Sequence, residues 1–148
     1  LPAARVGEAE ALERIGRGAI ERLARLYWYT VEFGLIRQDD GLRIYGSGIV
    51  SSAGESVHCL DSAAPNRIGF DLRRIMRTRY RIDSYQKTYF VIDSFQQLMD
   101  ATAPDFRPIY ADLADQPAIP AGTAPEAALL AGLRGGRSGL LKNRHDRR

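Results

Sequence analysis

Long apolar runs are missing from this 148-residue sequence. No stretch reaches the roughly 18 residues a membrane-spanning helix needs, so no transmembrane helix is expected in this sequence. Cysteine is almost absent. With Cys59 alone, no internal disulfide can form, and a reducing, cytoplasmic setting is expected. No charged-then-apolar leader opens the chain, so no secretory signal is expected. The first residue is Leu1 rather than Met, so a fragment is expected. Histidine is scarce too, with only His58 and His145.

Charge is present but unevenly spread. Residues 134–148 carry six basic side chains against one acid, a local net of +5, which leaves −2 for residues 1–133 of a chain at +3 overall. The basicity therefore belongs to the tail. That tail lacks the interleaved aromatics on which bases stack, so a nucleic-acid-binding module is the least favoured reading. Hydrophobic residues make up 45% of the chain, enough for one globular domain.

The helical signal begins near Ala11. Leu12, Ile15, Ala19, Leu23 and Leu26 recur at spacings of three and four, the stripe of an amphipathic helix. Gly16 and Gly18 weaken its early turns, so the helix is expected to be firm from Ile20 to Phe33, with Gly34 as the stop. Leu35–Gln38 and Leu42–Tyr45 flank Asp39-Asp40-Gly41, a hairpin signal. Gly46-Ser47-Gly48 reads as flexible or closely approached backbone.

Ser52-Ala53-Gly54-Glu55 and Ser94-Phe95-Gln96-Gln97 are capping boxes. They predict short helices to about Leu60 and Asp100. Residues 61–69 read as loop, Asp71–Met76 as one or two helical turns, and Phe106–Leu113 as a further short helix. Tyr80–Asp83 and Thr88–Ile92 read as strands. The whole is a mainly α fold with a small β-hairpin (α+β). Residues 1–115 form the folded part, and the Ala/Pro/Gly-rich, then basic, stretch 116–148 is expected to be disordered.

The chemistry concentrates in Tyr27-Trp28-Tyr29-Thr30-Val31-Glu32-Phe33-Gly34-Leu35. Glu32 is its single charge, near a helix C-terminus where the dipole disfavours a carboxylate. Unpartnered burial would cost several kcal/mol, so either something positive meets Glu32 or the residue is exposed. An arginine partner or an exposed position is the commoner solution, a metal the functional one. Trp28, four residues earlier, shares that helix face and is either a core residue or the wall of a site. Ser51 and Ser52 are as readily helix caps as binding groups.

These segments resemble the aromatic amino acid hydroxylases. Tyr27 to Leu35 is similar to that family's glutamate-ligand segment. Tyr45-Gly46-Ser47-Gly48-Ile49-Val50-Ser51-Ser52 is similar to its next motif, in matching order. Met76-Arg77-Thr78, Tyr80-Arg81-Ile82-Asp83 and Tyr89-Phe90-Val91 resemble the bacterial phenylalanine-hydroxylating members. The resemblance covers about Glu21 to Leu113 and implies the C-terminal part of that catalytic domain. It also implies hydroxylation of L-phenylalanine to tyrosine with Fe(II), a tetrahydropterin and O2, without nucleic-acid or membrane partners.

The resemblance makes Glu32 an iron ligand and puts Tyr27 near the pterin and iron. It puts Trp28 and Phe33 in the substrate wall, and Gly48 and Ser51 beside the amino acid, Ser51 also being able to orient an iron-bound histidine. A facial triad of two histidines and one carboxylate holds the iron in that family. The histidines come from a His-Glu-x-x-x-His segment before the glutamate helix, and this sequence has none. His58 and His145 do not stand where the family places ligands. The tail lacks the heptads of a tetramerising helix.

Two readings therefore lead: a piece of a phenylalanine 4-hydroxylase, inactive alone, or a non-catalytic truncated or decayed homologue. In either, part of the Leu12–Leu26 stripe is expected to lack a partner and to leave apolar surface uncovered.

Overall fold

A computed structural model describes residues 3–123. Helix α1 runs from Ala3 to Tyr27 and passes into one π-helical turn, Trp28–Glu32. Strands β1 (Leu35–Gln38) and β2 (Gly41–Ile44) follow as a hairpin, then the short helices α2 (Ser47–Val50) and α3 (Ala53–Asp61). Strand β3 (Asn66–Gly69), helix α4 (Leu72–Arg77), strand β4 (Thr88–Ile92) and helices α5 (Phe95–Thr102) and α6 (Arg107–Leu113) complete it.

The sheet has the order β2-β1-β4-β3. The hairpin is antiparallel, its turn closed by Gly41 at φ 125°, a region open to glycine. The β1–β4 and β3–β4 pairs are parallel. Parallel pairs are usually covered on both faces, and all five residues of β4 are buried. Phe90 joins Leu26, Tyr29, Ile68, Ile75, Met76 and Leu113 on the face under α1, α4 and α6. Tyr89 and Val91 join Leu35, Leu42, Ile49 and Cys59 on the other. The period-two alternation of one strand thus feeds two cores.

Several sequence expectations change. Helix α1 begins well before Ile20 and continues through Gly16 and Gly18. A side chain at Gly18 would collide with the Arg22 guanidinium, which is buried and donates to the Leu113 carbonyl. That glycine makes room for a helix-to-helix tie. Residues 66–69, read as loop, form β3, because pairing with β4 supplies what the weak local β-propensity of Asn-Arg-Ile-Gly does not. Tyr80–Asp83, read as strand, is irregular, since β3 already occupies that edge of β4.

The tail boundary moves as well. Ile119 bridges Thr78, and the Ala121 carbonyl accepts from Thr88 Oγ1, so residues 116–123 belong to the folded body. The remaining tail, with its predicted disorder, lies outside the described residues. The N-caps are as expected at Ser52 and Ser94, whose side chains accept from the Glu55 and Gln97 amides, while the Glu55 and Gln97 side chains bond elsewhere than to the cap amides. The apolar stripe of α1 is only partly covered: Leu26 is buried, while Leu12 and Leu23 are 70% and 44% exposed. Among the described residues no helix is long and apolar enough to cross a membrane.

Candidate active-site face

The π turn decides how the aromatic segment is presented. The Phe33 amide donates to the Trp28 carbonyl at 2.8 Å, five residues back. Thr30 Oγ1 takes the Leu26 carbonyl at 2.6 Å, a bond that competes with the regular helical ladder. In this turn the neighbours along the surface are i and i+5 rather than i and i+4. Tyr27 accordingly reaches Glu32, its hydroxyl donating to Oε1 at 3.2 Å. Trp28 accordingly packs on Phe33, ring centroids 4.6 Å apart. The expected pairing of Trp28 with Glu32 on one α-helical face gives way to these two pairs.

Glu32 is half-buried. Its second contact is the Ser47 hydroxyl, 3.4 Å from Oε1. Among the described residues no ion pair involves Glu32, so the arginine expected of a purely structural carboxylate is not there. Tyr27 feels the carboxylate directly: the hydrogen bond to Glu32, reinforced by its negative charge, raises the phenol above its usual range.

The Gly46-Ser47-Gly48 motif is a site of close approach. A Cβ at Gly48 would lie 2.9 Å from Glu32 Oε2 and 2.9 Å from Phe33 Cζ, and one at Gly46 would strike the Glu32 carbonyl. Both glycines let α2 settle against the π turn. Ser51, at the end of α2, is exposed and donates to the Gly48 carbonyl at 3.2 Å. The structure therefore brings Tyr27, Glu32, Ser47 and Gly48 together, with Phe33 against Gly48. Ser51 is tied to this group through Gly48 rather than through Glu32.

Trp28 also packs on Tyr80, stacked at 4.4 Å and 14°. Its indole N–H donates to Gln86 Oε1 at 3.1 Å. Ser47, Tyr80 and Gln86 were not identified as site residues from the sequence. Ser47 carried a signal, lying between the two glycines of the close approach. Gln86 carried none, since its role depends on a distant chain crossing.

Among the described residues no group of three or more His, Cys, Asp or Glu side chains is placed to hold a metal ion. His58 sits elsewhere, its ring 5.0 Å from Tyr85 and its Nε2 3.3 Å from the Gln86 carbonyl. Among the described residues the donors do not make an iron site, because one carboxylate does not complete a facial triad.

The sequence profile of the biopterin-dependent aromatic amino acid hydroxylases matches residues 11–107. The chain is 68% identical over 121 residues to a phenylalanine-4-hydroxylase of Ralstonia nicotianae, an overlap of 80% of this chain and 39% of that one. It is 62% identical over 131 residues to the Chromobacterium violaceum enzyme of the same name, covering 82% of this chain and 44% of that one. An iron- and phenylalanine-bound crystal structure of the C. violaceum protein superposes with a TM-score of 0.72 at 63% identity, over 81% of this chain and 44% of that one. The chain thus spans about two-fifths of the length of the curated relatives it matches.

Proposed function

Because the chain belongs to the biopterin-dependent aromatic amino acid hydroxylases, we propose that it forms the glutamate-bearing part of a phenylalanine 4-monooxygenase. The full activity converts L-phenylalanine and O2 to L-tyrosine with a tetrahydropterin and Fe(II). The observation that carries the reading is the Glu32 carboxylate. It is held by Tyr27 and Ser47, is without a cation among the described residues, and lies beside the Trp28–Phe33–Tyr80 aromatic cluster.

Glu32 offers one metal-ligand position. Tyr27 donates to Oε1, and the Ser47 hydroxyl divides its one hydrogen between that oxygen and the Val31 carbonyl, so Oε2 is the oxygen more open to a metal. Trp28 and Phe33 offer an aromatic surface suited to a phenyl ring. Gly48 keeps the approach to both open, and Ser51 fixes the backbone at Gly48 while standing near the entering amino acid. Iron and pterin supply the oxygen chemistry when bound, and the protein positions them. The relatives' shared name supports phenylalanine over tyrosine or tryptophan as the ring substrate.

The second reading, a non-catalytic homologue, is favoured by the incomplete donor set among the described residues. One assay separates the two. The 148-residue chain, given Fe(II), tetrahydropterin and phenylalanine, is expected to produce no tyrosine above the metal-only blank, because a triad needs three protein ligands. Joined to a segment carrying the His-Glu-x-x-x-His motif, it is expected to produce tyrosine, and Glu32→Ala to return the signal to the blank. Persistent inactivity in the joined protein would favour the non-catalytic reading. Tyrosine from the chain alone, lost in Glu32→Ala, would show that another group completes the site.

A further inference from the structure

The Trp28 indole packs against two rings, stacked on Tyr80 at 4.4 Å and tilted by 30° against Phe33 at 4.6 Å. Stacking sets the distance between ring planes but leaves a ring free to slide and turn within its own plane. One directional bond at the ring edge removes that freedom. Here it is the indole N–H to Gln86 Oε1, 3.1 Å.

Gln86 is itself immobilised. It is 2% exposed and lies in an irregular segment, where no strand or helix fixes it. Its side-chain amide N–H is committed to the Arg81 carbonyl, so the amide oxygen faces the indole. Its backbone N–H donates to Glu55 Oε2 at 3.1 Å, and its carbonyl lies 3.3 Å from His58 Nε2. Glu55 is 5% exposed and accepts from the Tyr89 hydroxyl as well. A buried polar relay thus runs from β4 through Glu55 and Gln86 to the edge of Trp28.

We propose that Gln86 is a positioning residue for Trp28, fixing the in-plane orientation of the indole that walls the ring pocket. The relevance to substrate rests on the reading of Trp28 given above. Gln86 would shape recognition of the ring without touching the ligand.

Trp28 is the chain's single tryptophan, so a proton–nitrogen correlation spectrum contains one indole signal. In the 148-residue chain its exchange with water is expected to be at least about tenfold slower than that of free indole, as for a bonded donor. Gln86→Leu removes the acceptor and is expected to raise the rate about tenfold. Gln86→Glu retains an oxygen for the indole while losing the donor to Arg81, and is expected to restore slow exchange. A role confined to anchoring the 80–86 segment gives the opposite pattern, with Leu and Glu equally disturbed.

Exchange at the free-indole rate in the unaltered chain, or an unchanged rate in Gln86→Leu, overturns the proposal. Should the Leu variant fail to fold, the unaltered chain and the Glu variant still decide it. The spectrum needs neither iron nor substrate. Failure of the hydroxylase reading would therefore appear only in the tyrosine assay, and failure of the positioning role only here.

Discussion

Two glutamates are linked to the same aromatic cluster, Glu32 next to Phe33 and Glu55 through Gln86, and they are solvated differently. Glu55 is buried in α3, capped by Ser52 at its amide, and its carboxylate accepts from Tyr89 and the Gln86 backbone. Glu32 is half-buried on the π turn, and the Tyr27 and Ser47 hydroxyls approach it at 3.2 and 3.4 Å. Among the described residues neither forms an ion pair. Glu55 has exchanged most of its water for two protein donors, both on Oε2, and serves the fold. Glu32 stays more open to water, which supports the external partner proposed for it. A charge among apolar residues is therefore a weak marker of a site until its donors are known.

The largest expected contrast lies in reactivity on the Glu55 side. Burial pushes the Cys59 thiol up to about 12 from its ordinary 9.0. At pH 8 the folded chain is then expected to react with a thiol reagent about a thousandfold more slowly than the urea-unfolded chain, since the thiolate is the nucleophile. The raised value fixes the sign of the linkage. Cys59 leaves stability unchanged below pH 9.0 and withdraws it as pH rises from there toward 12. Equal rates in folded and unfolded chain would mean that this core is open.

Next in size is stability. Glu55→Ala leaves the Tyr89 hydroxyl and the Gln86 amide without their acceptor and is expected to cost about 3 kcal/mol in urea unfolding. Glu32→Ala is expected to stay within about 0.5 kcal/mol. Comparable losses for both would erase the distinction between structural and ligand-directed carboxylate.

The smallest effect concerns the glycine that faces Glu32. Gly48→Ala places a Cβ 2.9 Å from Glu32 Oε2 and from Phe33 Cζ and is expected to cost about 1 kcal/mol. Combined with Glu32→Ala, part of that cost should vanish, a coupling of about 0.5 kcal/mol in a double-mutant cycle. Strict additivity would place the Glu32 carboxylate away from Gly48.

The sequence identified the two serine N-caps, the hairpin and β4, because each is a local pattern whose donors and apolar faces lie within a few residues. It also identified the segment Tyr27–Leu35 and its resemblance, since those residues are contiguous. It misplaced β3, whose four residues become a strand only through pairing with β4. It also set the folded boundary too early, because Ile119 and Ala121 are held by partners some forty and thirty residues away, Thr78 and Thr88.

The sequence by itself determined the family, the isolation of Glu32 in an apolar run and the shortage of histidine, all of them properties of residue identity and order. Only the tertiary structure decided which side chains meet. The π turn pairs Tyr27 with Glu32 and Trp28 with Phe33, because its wider winding brings residues five apart together where an α-helix would bring residues four apart. The fold likewise set Gln86, 58 residues from Trp28, at the edge of the indole. A hydrogen bond acts through distance in space, and no sequence spacing specifies that distance.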